Sequence, residues 1–362
     1  MTSTDLLVKL KWRNLEHIID VILHHLGPVS LTCLSLCSSK HYQLVTANRV
    51  ASRRIRLWRR WINGRPTVSS LLDNEGSIVT SLAVSGNLAA YCLQDFQDSS
   101  SSIQMMDIEA MKEVGRIHVA DYPVTLHSLR CSEEVVVFIT SPQVGQSRLN
   151  VLWRRTKVRV SQSAGSRMTS LGLEGDLLVT GSESGLVTLV SLTSPGLLSP
   201  LHQVRHATEA VRDLALQQGR VVSLSGDSRL RVWTVGSDKC ISDVSLEKEN
   251  LTRMAVRWPL CIISGVDTVL VWDLERRHQL QTLKTGGEVS ITRDQLLVGD
   301  HWGRVSIWSL QDLVDGHRPE EKRTRRRVEC LGPENVISGV SCLSPDKILV
   351  TGWNGKCCLL SF

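Results

Sequence analysis

The sequence has few of the residues that mark fibrous, disordered or disulfide-rich proteins. Its 362 residues include 10 prolines, 25 glycines and 10 cysteines, too few for a collagen-like, mucin-like or disulfide-stapled chain. Phenylalanine and tyrosine number three each whereas tryptophan reaches ten, which indicates that tryptophan recurs at set positions. The charged N-terminus does not predict a signal peptide, so we expect reduced thiols in a cytoplasmic or nuclear protein.

An uncharged stretch apolar enough to cross a membrane is also missing. The longest uncharged segment, residues 21–39, contains His24, His25 and Pro28 and is too polar to span a bilayer. We therefore expect no membrane partner.

Acidic residues are missing from one part of the chain. Residues 21–72 contain no aspartate or glutamate and eight lysines or arginines, although the formal net charge of the whole chain is only +6. Such a basic segment predicts an acidic partner, either a protein surface or a nucleic acid, of which nucleic acid is the less expected. A second basic cluster, Lys322–Arg327, is either a nuclear localisation signal or a solvated loop.

One pattern of short apolar runs and glycine turns recurs seven times from about residue 67 onward. Examples are LLVTGSESGLVTLVSL from Leu177 and VVSLSGDSRLRVWTV from Val221. The period of about 42 residues fits four strands, leaves no room for a helix and has the size of a propeller blade. The position that holds tryptophan in three copies is occupied in turn by Met106, Leu152, Val190, Trp233, Trp272, Trp308 and Leu360.

These repeats resemble the WD-repeat family through run endings such as Val-Trp-Thr-Val at Trp233, although only Trp272-Asp273 keeps the literal dipeptide. We predict a mainly β fold, a seven-bladed β-propeller over residues 67–362. The last copy ends after its third strand, so residues 67–72 are expected to pair with residues 355–361 and close the ring. Closure removes two exposed sheet edges. Outer strands are predicted elsewhere in the ring, for example at Lys157–Val160.

Residues 12–62 are predicted to form a small helical domain. Apolar residues recur at spacings of three and four along the first helix, which ends at Gly27-Pro28. A second helix follows from about Leu31, and a third, basic helix runs from about Arg49 to Trp61.

The helical segment has the spacing Ile18-Ile19-x-x-Ile22-Leu23-x-x-Leu26-x-Pro28-x-x-Leu31-x-x-Leu34-Ser35-x-Cys37 and ends in Leu57-Trp58-Arg59. In this it resembles the F-box, a module that precedes the propeller in the F-box/WD-repeat family. The family's opening Leu-Pro is replaced by Asn14-Leu15, and its tryptophan after Cys37 is absent. A generic helical cap on the propeller is the alternative. The resemblance implies docking on the linker subunit of a cullin–RING (SCF-type) ubiquitin ligase through Ile18, Ile22, Leu23, Leu26, Pro28, Leu31 and Leu34.

Enzyme and metal motifs are missing. The sequence has no phosphate-binding loop, no Gly-x-Ser-x-Gly elbow and no HExxH helix. Cys33 and Cys37, with His24, His25 and His41, lack zinc-finger spacing. We therefore expect neither a metal nor a cofactor, and no enzymatic activity; a propeller hydrolase would need carboxylates or histidines clustered along the axis.

Binding is the activity left for the propeller. Aligned copies place six residues at the start of the first strand, namely Thr80, His127, Thr169, Arg212, Thr252 and Ser338. In the family, arginines at this position bind phosphorylated peptides, but here Arg212 stands alone. Trp302 lies in the turn His301-Trp302-Gly303 and Trp353 in the turn Trp353-Asn354-Gly355. Each tryptophan is either an exposed anchor or folded over its neighbouring turn.

The predicted function is substrate recognition for an SCF-type ubiquitin ligase. The helical domain would bind the linker subunit and cullin, and the propeller would bind an unidentified protein substrate through Arg212, His127, His301, Trp302 and Trp353. The alternative is a WD-repeat scaffold without a ligase role.

Overall fold

The computed structural model describes residues 7, 10, 16–26, 28–52, 55–56, 66–73, 76–95, 100–120, 124–142, 146–237, 239–248, 250–292, 294–315, 325–332, 335–344 and 347–362. The predicted end of the third helix, the boundary between the two domains and residues 322–324 of the basic cluster lie outside these residues. The division into 12–62 and 67–362 therefore stays a prediction.

The described strands form seven four-stranded antiparallel sheets, so the predicted mainly β, seven-bladed propeller is confirmed. Because valine, isoleucine and leucine alternate with small polar residues between glycine turns, each run forms a strand rather than a helix. The strands are β1 (Thr67–Asp73), β2 (Ser77–Ser85), β3 (Leu88–Asp95), β4 (Ser101–Asp107), β5 (Lys112–Ala120), β6 (Val124–Cys131), β7 (Val135–Pro142), β8 (Arg148–Trp153), β9 (Arg159–Ser163), β10 (Met168–Glu174), β11 (Leu177–Ser182), β12 (Leu186–Ser191), β13 (Ser199–Arg205), β14 (Val211–Gln217), β15 (Arg220–Ser225), β16 (Arg229–Thr234), β17 (Cys240–Ser245), β18 (Arg253–Arg257), β19 (Leu260–Ser264), β20 (Val269–Asp273), β21 (His278–Leu283), β22 (Glu288–Ile291), β23 (Gln295–Gly299), β24 (Arg304–Ser309), β25 (Arg325–Glu329), β26 (Ile337–Ser344), β27 (Lys347–Gly352) and β28 (Lys356–Ser361).

Strands β2–β5 make the first blade, and each later blade takes the next four strands. The seventh blade combines β26, β27 and β28 with β1, whose Thr67 lies opposite Ser361. The chain thus closes the ring with the pairing expected from the sequence. The outer strand expected at Lys157–Val160 instead runs from Arg159 to Ser163, because residues 154–156 form a turn before it.

The repeat alignment is correct at the tryptophan position. Trp233, Trp272 and Trp308 each pair with the second residue of the preceding strand, and Met106, Leu152, Val190 and Leu360 do the same. Apolar side chains of facing sheets form the core between blades; Val151 of the second blade, for example, packs in one cluster with Leu171 and Leu178 of the third. Burial of these faces is the main source of stability.

A polar network lies inside the fourth blade. The ring of His206 stacks on Trp233 with ring centroids 4.0 Å apart, and its Nδ1 lies 3.3 Å from the Ser223 hydroxyl. Burial, followed by the nearby Arg231, lowers the pKa of His206 to about 3. The imidazole is therefore neutral and acts as a structural group.

The N-terminal helices are α1 (Glu16–His25), α2 (Pro28–Cys37) and α3 (Ser39–Ala47). Their buried residues form one cluster that includes Ile19, Leu23 and Leu31. The sequence analysis missed α3, which begins after Ser38, whose hydroxyl accepts a hydrogen bond from the His41 amide. It also missed a short helix within the propeller, α4 (Leu310–Val314), between β24 and β25. No helix in the described part of the chain is long and apolar enough to cross a membrane.

Candidate functional site

One face of the disc carries two kinds of segment from every blade. The register of Val211 opposite Ser225 places the start of β14 beside the turn between β15 and β16. The same antiparallel arrangement recurs in the other blades. We call this side, with the strand starts and the turns between second and third strands, the upper face.

Three consecutive blades each present a large exposed apolar side chain in an upper-face turn. These are Val266 of the fifth blade (64% exposed), Trp302 of the sixth (61%) and Trp353 of the seventh (56%). We call these residues the apolar arc. The two tryptophans therefore stand out from their turns rather than folding over them, whereas Val266 was missed because its turn has no aromatic residue to mark it.

The two tryptophan turns of the arc make backbone hydrogen bonds to residues that follow β25 and precede β26. The carbonyl of Gly303, next to Trp302, accepts from the amide of Cys330 at 3.0 Å, and the Trp353 amide donates to the carbonyl of Val336 at 3.0 Å. The Trp302 amide also donates to Asp300 Oδ1 at 2.9 Å. The backbones of both tryptophan turns are thus bonded to described residues, Cys330 and Val336, between β25 and β26.

The first strands of the seven blades surround a central channel with a cavity of about 530 Å³. Charged residues at its mouth form two pairs. Arg253 Nε lies 2.8 Å from Glu288 Oε1, and Arg130 Nη2 lies 3.7 Å from Asp213 Oδ1. Asp213 also accepts from the Met254 amide at 2.7 Å. The described charged groups at the channel mouth are therefore paired mainly with other groups of the propeller.

The pKa shifts at the mouth follow from burial and pairing. Burial raises the pKa of Asp213, against the opposing effects of Arg130 and Arg253. The Glu288 carboxylate raises the pKa of the Arg253 guanidinium. Asp213 thus behaves as a buried structural carboxyl that joins blades, with two backbone amides and an arginine around it.

The structure brings four of the aligned strand-start residues, Thr80, Thr169, Arg212 and Ser338, to the channel. Arg212 donates from Nη1 to the carbonyl of Leu251 at 3.0 Å, so this guanidinium ties two blades together. Each of these four residues lies at the register shift of its strand, whereas in the second blade the shift falls at Ser128, one residue after His127, and Ser128 lines the channel. The backbone of His127 pairs with Ile139, but its side chain lies outside the described residues. His301 is exposed beside Trp302.

The predicted linker-binding residues divide into core and surface. Leu23 and Leu31 are fully buried in the helical cluster, and Ile22, Leu26 and Leu34 pack against it. Ile18 is exposed, as is Val21 one turn later; the side chain of Pro28 lies outside the described residues. Leu23 and Leu31 therefore build the helical unit, whereas the exposed Ile18 is accessible to a partner and Ile22, Leu26 and Leu34 are half-buried.

No family model matches the chain, and no curated protein matches its sequence. Solved structures do match its fold. A chain in the crystal structure of the mitotic checkpoint complex is 14% identical with a TM-score of 0.64; the match covers 83% of this chain and 93% of that one. The computationally designed Ika8 protein is 15% identical with a TM-score of 0.59, covering 80% and 98%. Such low identities show a shared propeller fold alone.

Among the described residues, no three histidine, cysteine, aspartate or glutamate side chains are grouped where they could hold a metal ion. What the upper face offers chemically is an apolar arc beside a charged but internally paired channel mouth. This is a surface suited to protein–protein interaction.

Proposed function

We propose that this protein is a receptor that holds a target protein on the apolar arc and joins it to a cullin–RING ubiquitin ligase through its N-terminal helices. The observation that carries the first half is the exposure of Val266, Trp302 and Trp353 on three consecutive blades of one face. Tryptophan side chains dominate the binding free energy of many protein interfaces.

The backbone hydrogen bonds of the two tryptophan turns support their role in binding. The Trp302 turn is bonded to Cys330 and the Trp353 turn to Val336 through the backbone, so little backbone entropy is lost when a partner covers the indole rings. The two indoles also combine a large apolar area with an N–H donor, a pairing common at interfaces.

The channel mouth favours an unmodified target over a phosphorylated one. Arg253 is paired with Glu288 and Arg130 with Asp213, while Arg212 is engaged by the Leu251 carbonyl. A phosphate would have to compete with two carboxylates for these guanidinium groups. We therefore assign recognition to the apolar arc and give the mouth the role of a polar rim.

The ligase half of the proposal rests on the F-box-like spacing of the first two helices and on their order before the propeller. The exposed Ile18 and Val21 lie three residues apart on α1, which puts them on one helix face. Leu23 and Leu31 fill the core beneath, so among the described side chains of α1 this exposed face is one that a linker subunit can meet.

Affinity purification of the full chain from cell extract tests the ligase half. We expect the wild type to retain the linker subunit and cullin, and Ile18→Asp with Val21→Asp to lose both while the melting temperature stays unchanged. A matched control, Met111→Asp, changes an exposed apolar residue of the first blade and should retain both. If the wild type retained target proteins but no ligase subunit, the ligase half of the proposal would be wrong and the protein would be a scaffold without a ligase role.

A further inference from the structure

The outer edge of the second blade differs from the other outer edges of the ring. Strand β9 pairs with β8 without a register shift, whereas β1, β5, β13, β17 and β21 all contain irregularities against their neighbours. Strand β25 is regular but carries three arginines and a glutamate. Strand β9 has one charged residue, Arg159 at its start, whose guanidinium bonds to the His118 carbonyl and Asn150. Residues 160–163 contain no charge and no proline, so this part of the edge lacks the usual features that block strand pairing.

The register shows which backbone groups of β9 face outward. The Ala164 amide donates to the Ser147 carbonyl, and the Trp153 amide donates to the Val158 carbonyl. Hydrogen-bonded pairs alternate along an antiparallel ladder, so Val160 and Gln162 bond toward β8. The N–H and C=O groups of Ser161 and Ser163 therefore point away from the sheet, and no partner is described for them.

A groove opens beside this edge, between the second and third blades. Its cavity of about 480 Å³ lies between Gln162 and Ser163 of β9 and Pro200 and Gln203 of β13. Its floor includes the buried Leu149, Met168, Val190 and Leu198. The lower end of the gap is closed where the Trp153 indole N–H donates to the Leu192 carbonyl at 3.3 Å.

No charged side chain lines the described groove, where hydroxyl and amide groups surround the apolar floor. The opposite face of β9 is basic, because Arg148 is exposed there and donates from Nε to the Ser161 hydroxyl at 2.9 Å. An added strand would place alternate side chains on these two faces. Apolar side chains suit the groove, and acidic side chains suit the face with Arg148.

We propose that β9 is a second docking site, at which an extended partner segment of alternating apolar and acidic residues adds a fifth strand to the second blade. Main-chain hydrogen bonds to Ser161 and Ser163 hold the segment, and the groove between blades two and three selects its apolar side chains. This site is separate from the apolar arc, so its failure leaves the proposed function standing.

The full-length protein and a fluorescein-labelled peptide of eight alternating glutamate and valine residues test the proposal by fluorescence anisotropy. We expect saturable binding, and clearly weaker binding of two control peptides, one with the same residues in two blocks and one with lysine in place of glutamate. Equal binding of the block peptide, or no saturable binding, would overturn the proposal.

Two variants locate the bound peptide. Ser161→Pro removes an outward N–H without removing a bond to β8, a change that edge strands tolerate. Gln203→Glu places a charge in the groove at an exposed position. Each should weaken binding about tenfold, the loss of roughly one hydrogen bond or one apolar contact, while Trp302→Ala with Trp353→Ala leaves it unchanged.

Hydrogen exchange on the wild type keeps the test independent of how the variants fold. The peptide should slow exchange of the Ser161 and Ser163 amides while leaving the Val160 and Gln162 amides, already bonded to β8, little changed. Binding without this protection, or unaffected by Gln203→Glu, would show that β9 is not the site.

Discussion

Thr67 donates its hydroxyl to the backbone carbonyl of Ser361 at 3.3 Å, across 294 residues of chain. This bond belongs to the pairing of β1 with β28 that completes the seventh blade. The sheet of the seventh blade therefore depends on β1, the first strand of the propeller in the sequence.

Deletion of residues 67–72 should leave a protein that aggregates or melts at a lower temperature. The deletion exposes the backbone edge of β28, and an uncovered strand edge templates association. Size-exclusion chromatography and thermal unfolding check this expectation. A monomeric deletion variant with an unchanged melting temperature would contradict the closure.

Two glycines with the same φ angle allow the cost of backbone strain to be measured separately from the cost of a steric clash. Gly219 and Gly303 both have φ +67, but a Cβ on Gly303 would lie 2.2 Å from the Gly332 carbonyl oxygen, whereas nothing lies within 4 Å of one on Gly219. Gly219→Ala should cost about 1–2 kcal/mol for the left-handed conformation. Gly303→Ala should cost at least about 2 kcal/mol more, measured by urea unfolding; equal costs would contradict the close packing of the Trp302 turn.

The buried His206 predicts a loss of stability in mild acid. Its pKa falls to about 3 in the fold, first because of burial and then because of Arg231, against about 6.5 when unfolded. The contribution of neutral His206 to the unfolding free energy is complete above pH 6.5. It declines as pH falls toward 3, because in this range His206 takes up a proton in the unfolded chain but not in the folded one.

Between pH 7 and pH 5 the wild type should therefore lose about 1–2 kcal/mol more unfolding free energy than His206→Gln. Urea unfolding at both pH values measures the difference. His301→Gln, at an exposed histidine, is the matched control and should follow the wild type. A His206→Gln variant with the wild-type pH dependence would show that this imidazole does not control it.

Trp302→Ala with Trp353→Ala should reduce capture of target proteins while the propeller stays folded. Both side chains are more than half exposed, so truncation removes little core packing, and loss of a central tryptophan typically costs about 2 kcal/mol or more of binding. Quantitative mass spectrometry of captured proteins measures the effect. Unchanged capture would show that target proteins bind outside the apolar arc. Met111→Ala, at an exposed apolar residue, is the control.

The ring could be predicted from the sequence because each blade repeats the same local pattern. The period and the recurring position of Trp233, Trp272 and Trp308 were enough to identify seven blades, and the missing outer strand led to Thr67. Helix α3 was missed because its residues, Ser39–Ala47, form no clear apolar face in the sequence and depend on the cap at Ser38.

The site was only partly predictable, because pairwise contacts across the ring leave no local signal. The aromatic residues in the turns identified Trp302 and Trp353, but Val266 is an ordinary residue whose exposure depends on the shape of its turn. Arg130 and Asp213 come from different blades and meet at the channel mouth. Their pairing, which decides how much positive charge a ligand meets, requires the folded ring.

The half-lives of the captured target proteins test the central claim most directly, in cells where the wild type is replaced by one of two variants. The account predicts that Trp302→Ala with Trp353→Ala, and separately Ile18→Asp with Val21→Asp, both lengthen those half-lives. The first variant should lose the targets and the second only the ligase subunits. Half-lives that stay at the wild-type value in both variants, while capture is lost as expected, would contradict a role in ubiquitin-dependent turnover.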